Sequence, residues 1–99
     1  MGAVRKAKVQ SRWVGEVARV AMGGERSVRA AASKVHPTIT ILAYMRIHGL
    51  TQSELAKRLG SNQPTVSLVL NGSVLPDSAL RQAFQAVCWI PTAHWDRCW

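Results

Sequence analysis

Residues 50–72 of the 99-residue chain, LTQSELAKRLGSNQPTVSLVLNG, contain the signals that decide the fold. Thr51 with Glu54 three residues later is a capping-box pattern, in which each side chain bonds the other residue's backbone N–H at a helix start. Gly60 suits the left-handed residue that ends a short helix. Asn62 has the side chain of a second N-cap, because its oxygen can accept from a backbone N–H of the following turn. The stretch therefore predicts two short helices joined by a tight turn.

Each of the two helices has one apolar face at helical spacing. In the first helix the small side chain of Ala56 allows a second helix to cross closely. The second helix has Pro64 in its first turn, where a missing N–H breaks no helical bond, and it ends at Asn71 and Gly72. The inward residues are predicted to be Leu55, Ala56 and Leu59 in the first helix and Val66, Val69 and Leu70 in the second. The residues that are left outward in the second helix are Gln63, Thr65, Ser67 and Leu68.

This stretch resembles the helix-turn-helix of the Cro and phage-repressor family, in which the pattern Leu-Thr-Gln-x-x-Leu-Ala-x-x-Leu-Gly-x-x-Gln-x-x-Val-Ser-x-x-x-Asn-Gly is typical. The resemblance extends from Thr38 to Trp95. It implies an all-α, five-helix repressor-like domain at residues 37–99. It also implies a sequence-specific DNA-binding transcriptional regulator of phage or bacterial type, acting as a homodimer on palindromic double-stranded DNA with half-sites about 34 Å apart.

By the same resemblance, the second motif helix lies in the major groove and presents its side chains to base edges. Gln63 is the expected base reader, because a Gln amide offers the donor and the acceptor that adenine N7 and N6 require. Leu68 is expected to cover a thymine methyl group. Thr65 and Ser67 are expected to bond bases or phosphates.

Two further residues are expected to bind phosphates by this resemblance and so to fix the register on the duplex. They are Gln52 at the start of the first motif helix and Asn71 at the end of the second. Each role has a structural alternative. In this alternative, Gln52 and Gln63 are only polar residues in the solvent-exposed first turn of a helix. Asn71 is then only the C-cap of its helix.

The formal charge of +8 at pH 7 indicates an anionic partner, either nucleic acid or an acidic membrane surface. Residues 1–36 carry eight Lys and Arg against two Glu, whereas residues 37–99 carry five against three acidic residues. We expect residues 1–36 to be a basic N-terminal arm, flexible or weakly helical, since apolar residues recur at helical spacing from Val9 to Val20. An arm that follows the DNA backbone or enters a minor groove is one alternative, and an organelle transit peptide is another.

The regions that flank the motif carry helix signals of their own. Thr38 is the expected N-cap of a helix that ends at Gly49. Asp77 or Ser78 is expected to cap a fourth helix that runs to about Val87. The predicted buried residues of these two helices are Ile41, Tyr44, Met45 and His48 in the first and Leu80, Ala83, Phe84 and Val87 in the second.

The C-terminal segment resembles the family's usual ending, a Gly-Ile-Pro-x-x-x-Trp turn that leads into a short fifth helix. Trp89 stands where that pattern has Gly. A positive φ there would strain the Trp, which favours a corner that differs from the family's. The apolar surface near Trp89, Trp95 and Trp99 is a candidate dimer interface.

Several other classes of protein fit the sequence poorly. It has no nucleophile elbow, phosphate loop or paired carboxylates, so we expect no enzyme and no cofactor. Cys88, His94 and Cys98 lack the fourth ligand and the spacing of a zinc site, and we interpret them as packing and surface residues. No apolar run reaches the roughly 18 residues of a membrane span, and a cytoplasmic location is expected.

Two other functions also fit the sequence. The chain can be the antitoxin of a toxin–antitoxin pair, which binds a partner protein, the toxin, and represses its own promoter. It can also be a sequence-blind binder of nucleic acid that depends on the basic arm. The second alternative predicts that Gln63→Ala leaves binding unchanged, whereas the regulator predicts that it relaxes the base preference.

Overall fold

The computed structural model describes residues 11–99, and this part of the chain is entirely helical. Its seven helices, in chain order, are α1 (Ser11–Met22), α2 (Gly24–Ala31), α3 (Pro37–His48), α4 (Gln52–Leu59), α5 (Gln63–Leu70), α6 (Ser78–Cys88) and α7 (His94–Cys98). The last five lie in residues 37–99, so the prediction of an all-α fold with a five-helix domain is confirmed. Among residues 11–99 there is no β-strand.

The central helix is α3, which contacts α1, α2, α6 and α7. Ile41 and Ala43 are completely buried and Tyr44 nearly so. Met45 is half-buried, and His48 is exposed at the helix end, where its ring lies 4.5 Å from that of Tyr44. Gly49 then ends the helix in the left-handed conformation, as the sequence predicts.

The start of α3 differs from the prediction that Thr38 is its N-cap. The cap is His36, whose Nδ1 accepts a hydrogen bond from the Thr38 backbone N–H at 3.1 Å. Pro37 is the first helical residue, a position that needs no backbone donor. Thr38 lies inside the helix and is buried. The prediction was wrong because an imidazole nitrogen supplies the acceptor that Ser, Thr, Asp or Asn usually supplies.

The segment before α3 forms a helical pair that packs against it. Val17 and Val20 of α1 and Val28 of α2 are buried in the same core cluster as the residues of the motif. In residues 11–36 the predicted arm is thus mainly helical, and its apolar side chains have a partner surface on α3. Residues 1–10, with the rest of the predicted arm, lie outside the described residues. A separate role for residues 1–36 stays a prediction.

The C-terminal helices close the other side of the core. Asp77 caps α6 by accepting from the Leu80 backbone N–H at 2.8 Å. Trp89 follows α6 with a φ of 65°, so the left-handed conformation that suits the family's Gly is kept here by a Trp. Phe84 and Trp95, whose rings lie 5.1 Å apart, are fully buried between α6 and α7.

Candidate nucleic-acid interface

Local hydrogen bonds fix how α4 and α5 start and how the turn between them is made. The Thr51 side chain accepts from the Glu54 N–H at 3.2 Å, and the Glu54 carboxylate accepts from the Thr51 N–H at 2.8 Å. These bonds hold the pKa of Glu54 below its usual value, because they favour the charged carboxylate. Gly60 ends α4 with a φ of 69°, and the Asn62 side chain accepts from the Thr65 N–H at 2.9 Å. The predicted caps and turn are confirmed.

The packing of α5 determines which of its side chains face outward. Val66 and Val69 are completely buried and Leu70 nearly so, against Leu55, Ala56 and Leu59 of the core cluster. The opposite face carries the side chains that were predicted to be outward. Gln63 and Leu68 are exposed, whereas Thr65 and Ser67 are half-buried.

A hydrogen bond between side chains joins the first residues of the two motif helices. The Gln63 Nε2 donates to the Gln52 Oε1 at 2.8 Å, across 11 residues of sequence. Gln63 is exposed and Gln52 is half-buried. The sequence suggested each residue singly, but their contact was missed, because it depends on the crossing of α4 and α5. The bond leaves one amide hydrogen and the oxygen of Gln63 directed to other partners.

Asn71 lies at the other end of α5. It is the C-cap residue, half-buried, and its backbone N–H donates to the Ser67 carbonyl at 2.9 Å. The next turn closes with Gly72 at a φ of 77° and with the Ser73 N–H donating to the Leu68 carbonyl. Gln52 and Asn71 therefore lie at opposite ends of the motif. Gln52 is the first residue of α4, and Asn71 is the C-cap of α5.

The charges around the motif are unbalanced. Each of the five Asp and Glu side chains of the chain either caps a helix or pairs with an Arg side chain. Glu54 and Asp77 cap helices, while Glu16, Glu25 and Asp96 pair with Arg19, Arg29 and Arg81. Exposed cations remain at Lys57 and Arg58 in the last turn of α4, and the Arg58 Nη1 donates to the Tyr44 hydroxyl at 2.9 Å. This excess of positive charge suits a polyanion.

Cys88, His94 and Cys98 lie near the C-terminal end of the described chain, and their contacts are those of packing residues. Burial raises the pKa of the Cys88 thiol to about 12, so the thiol stays protonated. The His94 Nε2 bonds the Val35 carbonyl at 2.7 Å and lies 3.7 Å from the Cys98 sulfur. Because a carbonyl only accepts, this nitrogen carries a proton and has no lone pair for a metal. Within residues 11–99, no group of three or more metal-binding side chains is placed to hold an ion.

The predicted dimer surface near the tryptophans needs correction. Trp95 is completely buried beside Phe84 and Trp99, so it presents no surface to a partner. The sequence could not show this, because Trp95 is buried by α3 and α6 as well as by its own helix. Trp89 is half-buried, and Trp99 is 37% exposed.

The fold and the site define a DNA-binding helix-turn-helix. Residues 41–80 match the model of the family described as Helix-turn-helix, which is of the Cro/C1 type. Members of the family are DNA-binding regulators. No curated protein and no solved structure matches the chain significantly. Across residues 11–99, no helix has the length and apolar character to cross a bilayer.

Proposed function

We propose that this protein is a sequence-specific transcriptional regulator whose helix α5 binds in the major groove of DNA. The observation that carries the proposal is the 2.8 Å hydrogen bond from Gln63 to Gln52, inside a segment of the helix-turn-helix family. It holds an exposed amide in one orientation before DNA is bound. Preorganisation of this kind lowers the entropy that a flexible side chain loses on binding.

The held amide has the groups that adenine requires. One hydrogen of the Gln63 Nε2 is used by Gln52, which leaves a second hydrogen on the same nitrogen and the free lone pairs of Oε1. The hydrogen can be donated to adenine N7 while the oxygen accepts from adenine N6–H. Gln63 is thus the proposed base reader, and Gln52 is the residue that orients it.

The remaining contacts follow from the positions of the side chains. Thr65 and Ser67 lie on the two half-buried margins of α5 and are proposed to bond bases or phosphates, with Leu68 against a thymine methyl. Gln52 keeps its own amide hydrogens for a phosphate, and Asn71 is proposed to bind a second phosphate. The excess cations supply sequence-independent attraction.

We also propose that the chain binds as a homodimer to two half-sites, as helix-turn-helix regulators commonly do. A repressor and an antitoxin that represses its own promoter use the same DNA contact. The proposal therefore concerns the contact that the two functions share, and it assigns the chain no catalytic activity.

The experiment is a selection from randomised duplex DNA, followed by binding assays on the selected site. The wild-type chain should enrich one motif with two related halves. Gln63→Ala should lose about 1–3 kcal/mol of discrimination at one base pair of each half. The matched control is Gln85→Ala, an exposed Gln on α6, which should keep the full preference. Enrichment of no motif by the wild-type chain would contradict the proposal.

A further inference from the structure

The outward face of α5 has an apolar ridge along its middle. Pro64 and Leu68 are four residues apart, so they lie one above the other on the same side of the helix. Both are exposed, and the Leu68 side chain is 45% exposed. The buried residues Val66, Val69 and Leu70 lie on the opposite side. We call Pro64 and Leu68 the α5 ridge.

The side chains that flank the ridge are polar but uncharged. Gln63 and Ser67, also four residues apart, lie along one side of it, and Thr65 lies along the other. The whole helix, QPTVSLVL, contains no Lys, Arg, Asp or Glu. Arg and Lys are the usual readers of guanine O6 and N7, and Asp and Glu accept from cytosine N4. The helix therefore has no charged side chain of the kinds that usually specify a G·C pair.

An apolar ridge also discriminates between base pairs by itself. In the major groove, the only apolar group on a base edge is the C5-methyl of thymine. A thymine methyl against Leu68 removes apolar surface from water, which is favourable. A guanine or cytosine edge at the same place would lose its water partners without gaining a hydrogen bond, which is unfavourable.

We infer that each DNA half-site is made of A·T pairs where α5 contacts it, with thymine methyl groups against the α5 ridge and an adenine opposite Gln63. This inference rests on the proposed function and adds the class of sequence that the helix accepts. Leu68 is then a specificity-determining residue, although it makes no hydrogen bond to a base.

The test uses the duplex selected by the wild-type chain. At the contacted positions each thymine is replaced in turn by deoxyuridine, which removes only the methyl group, and the Kd is measured at fixed salt. We expect at least one replacement in each half-site to weaken binding by about threefold to fourfold, the value of one buried methyl group. Leu68→Ala should lose this effect of deoxyuridine at one or more of these positions, while Pro64 still covers its own thymine.

Val14→Ala is the matched control, because Val14 is an exposed apolar residue on α1, at 58% exposure. This variant should keep the wild-type preference for thymine. The inference is overturned if the selected half-sites have G·C pairs under α5, if no methyl group matters, or if Leu68→Ala keeps the wild-type thymine preference at every position. A wild-type chain that selects no sequence would instead overturn the proposed function, and the inference with it.

Discussion

The two motif helices, α4 and α5, and the two N-terminal helices, α1 and α2, are held by different kinds of interaction. Each motif helix begins at a side-chain cap. The N-cap of helix α2 is Gly23, which has no side chain to cap with, and the one fully buried residue of the helix is Val28. The motif is thus determined largely by neighbours in sequence, whereas the N-terminal pair depends on its packing against α3.

Contacts between distant residues reinforce the N-terminal pair. The ring of His36 stacks between those of Trp13 and Trp99, with centroid distances of 4.5 and 5.1 Å. The Arg29 guanidinium lies 4.4 Å from the centroid of the Trp89 ring. These contacts join the start of the described chain to its end. A basic segment with weak local signals is therefore part of the core.

The largest expected effect comes from a charge in the core of the N-terminal pair. Val28→Asp places an unpaired carboxylate where no solvent reaches, and it should lower the free energy of unfolding by about 4 kcal/mol or more. Urea unfolding followed by circular dichroism measures this. Ala30→Asp, at an exposed position of the same helix, should change it by only about 0.5 kcal/mol. A Val28→Asp chain with wild-type stability would show that α2 is not part of the core.

A smaller loss is expected when a local signal of the motif is removed. Thr51→Ala deletes the side-chain half of the capping box and should destabilise the chain by about 1 kcal/mol, measured in the same way. Ser53→Ala is the matched control, since Ser53 is an exposed hydroxyl residue of α4 that makes no cap. Equal effects of the two substitutions would argue against a local origin for the stability of the motif.

The contact between Arg29 and Trp89 should show a coupling of about 0.5–1 kcal/mol in a double-mutant cycle. The two substitutions are Arg29→Met, which keeps the stem but removes the charge, and Trp89→Leu, which removes the ring. Leu at the left-handed position bears the same kind of backbone strain as Trp. A parallel cycle with Arg26→Met should show no coupling, because Arg26 is the exposed cation three residues earlier in α2. Additive effects in the first cycle would show that the Arg29 cation and the Trp89 ring do not stabilise each other.

The smallest expected effect is a pH dependence at the junction of the two regions. Burial lowers the pKa of His36 below the ordinary value of 6.5, and its Nδ1 must be unprotonated to cap α3. The unfolded chain therefore binds a proton at a higher pH than the folded chain does. This part of the stability is complete above pH 6.5 and is lost as the pH falls through the folded pKa.

Thermal unfolding at pH 7.5 and pH 5.5 measures the His36 contribution. His36→Asn provides a cap that does not titrate, so the difference in Tm between the two pH values should become smaller. Asn62→Ala removes a cap that does not titrate and should lower the Tm by a similar amount at both pH values. An unchanged pH difference in His36→Asn would exclude His36 as the source.

The sequence was sufficient for the features that depend on a few adjacent residues. The capping box, the left-handed Gly60 and the inward face of α5 all follow from spacing and side-chain chemistry. The resemblance identified position 89 as one that usually has Gly, but it left open whether a Trp there keeps the positive φ or changes the corner.

The features that the sequence did not reveal depend on how distant elements meet. The cap of α3 is an imidazole, that of His36, whose ring is stacked by Trp13 and Trp99 from the two ends of the described chain. The burial of Trp95 depends on its packing beside Phe84 of α6. The same is true of the bond between Gln52 and Gln63, which needs the crossing geometry of α4 and α5. Weak periodicity in the N-terminal segment did indicate a helix, but not the surface on which it packs.

The most direct test of the account is a double-mutant cycle of Gln52→Ala and Gln63→Ala, with the Kd measured for the selected duplex and for the duplex altered at the base pair assigned to Gln63. If Gln52 orients Gln63, either substitution should reduce the preference for that base pair, and the double substitution should reduce it no further than Gln63→Ala alone. A Gln52→Ala chain with the full base preference, or two losses that add, would contradict the account.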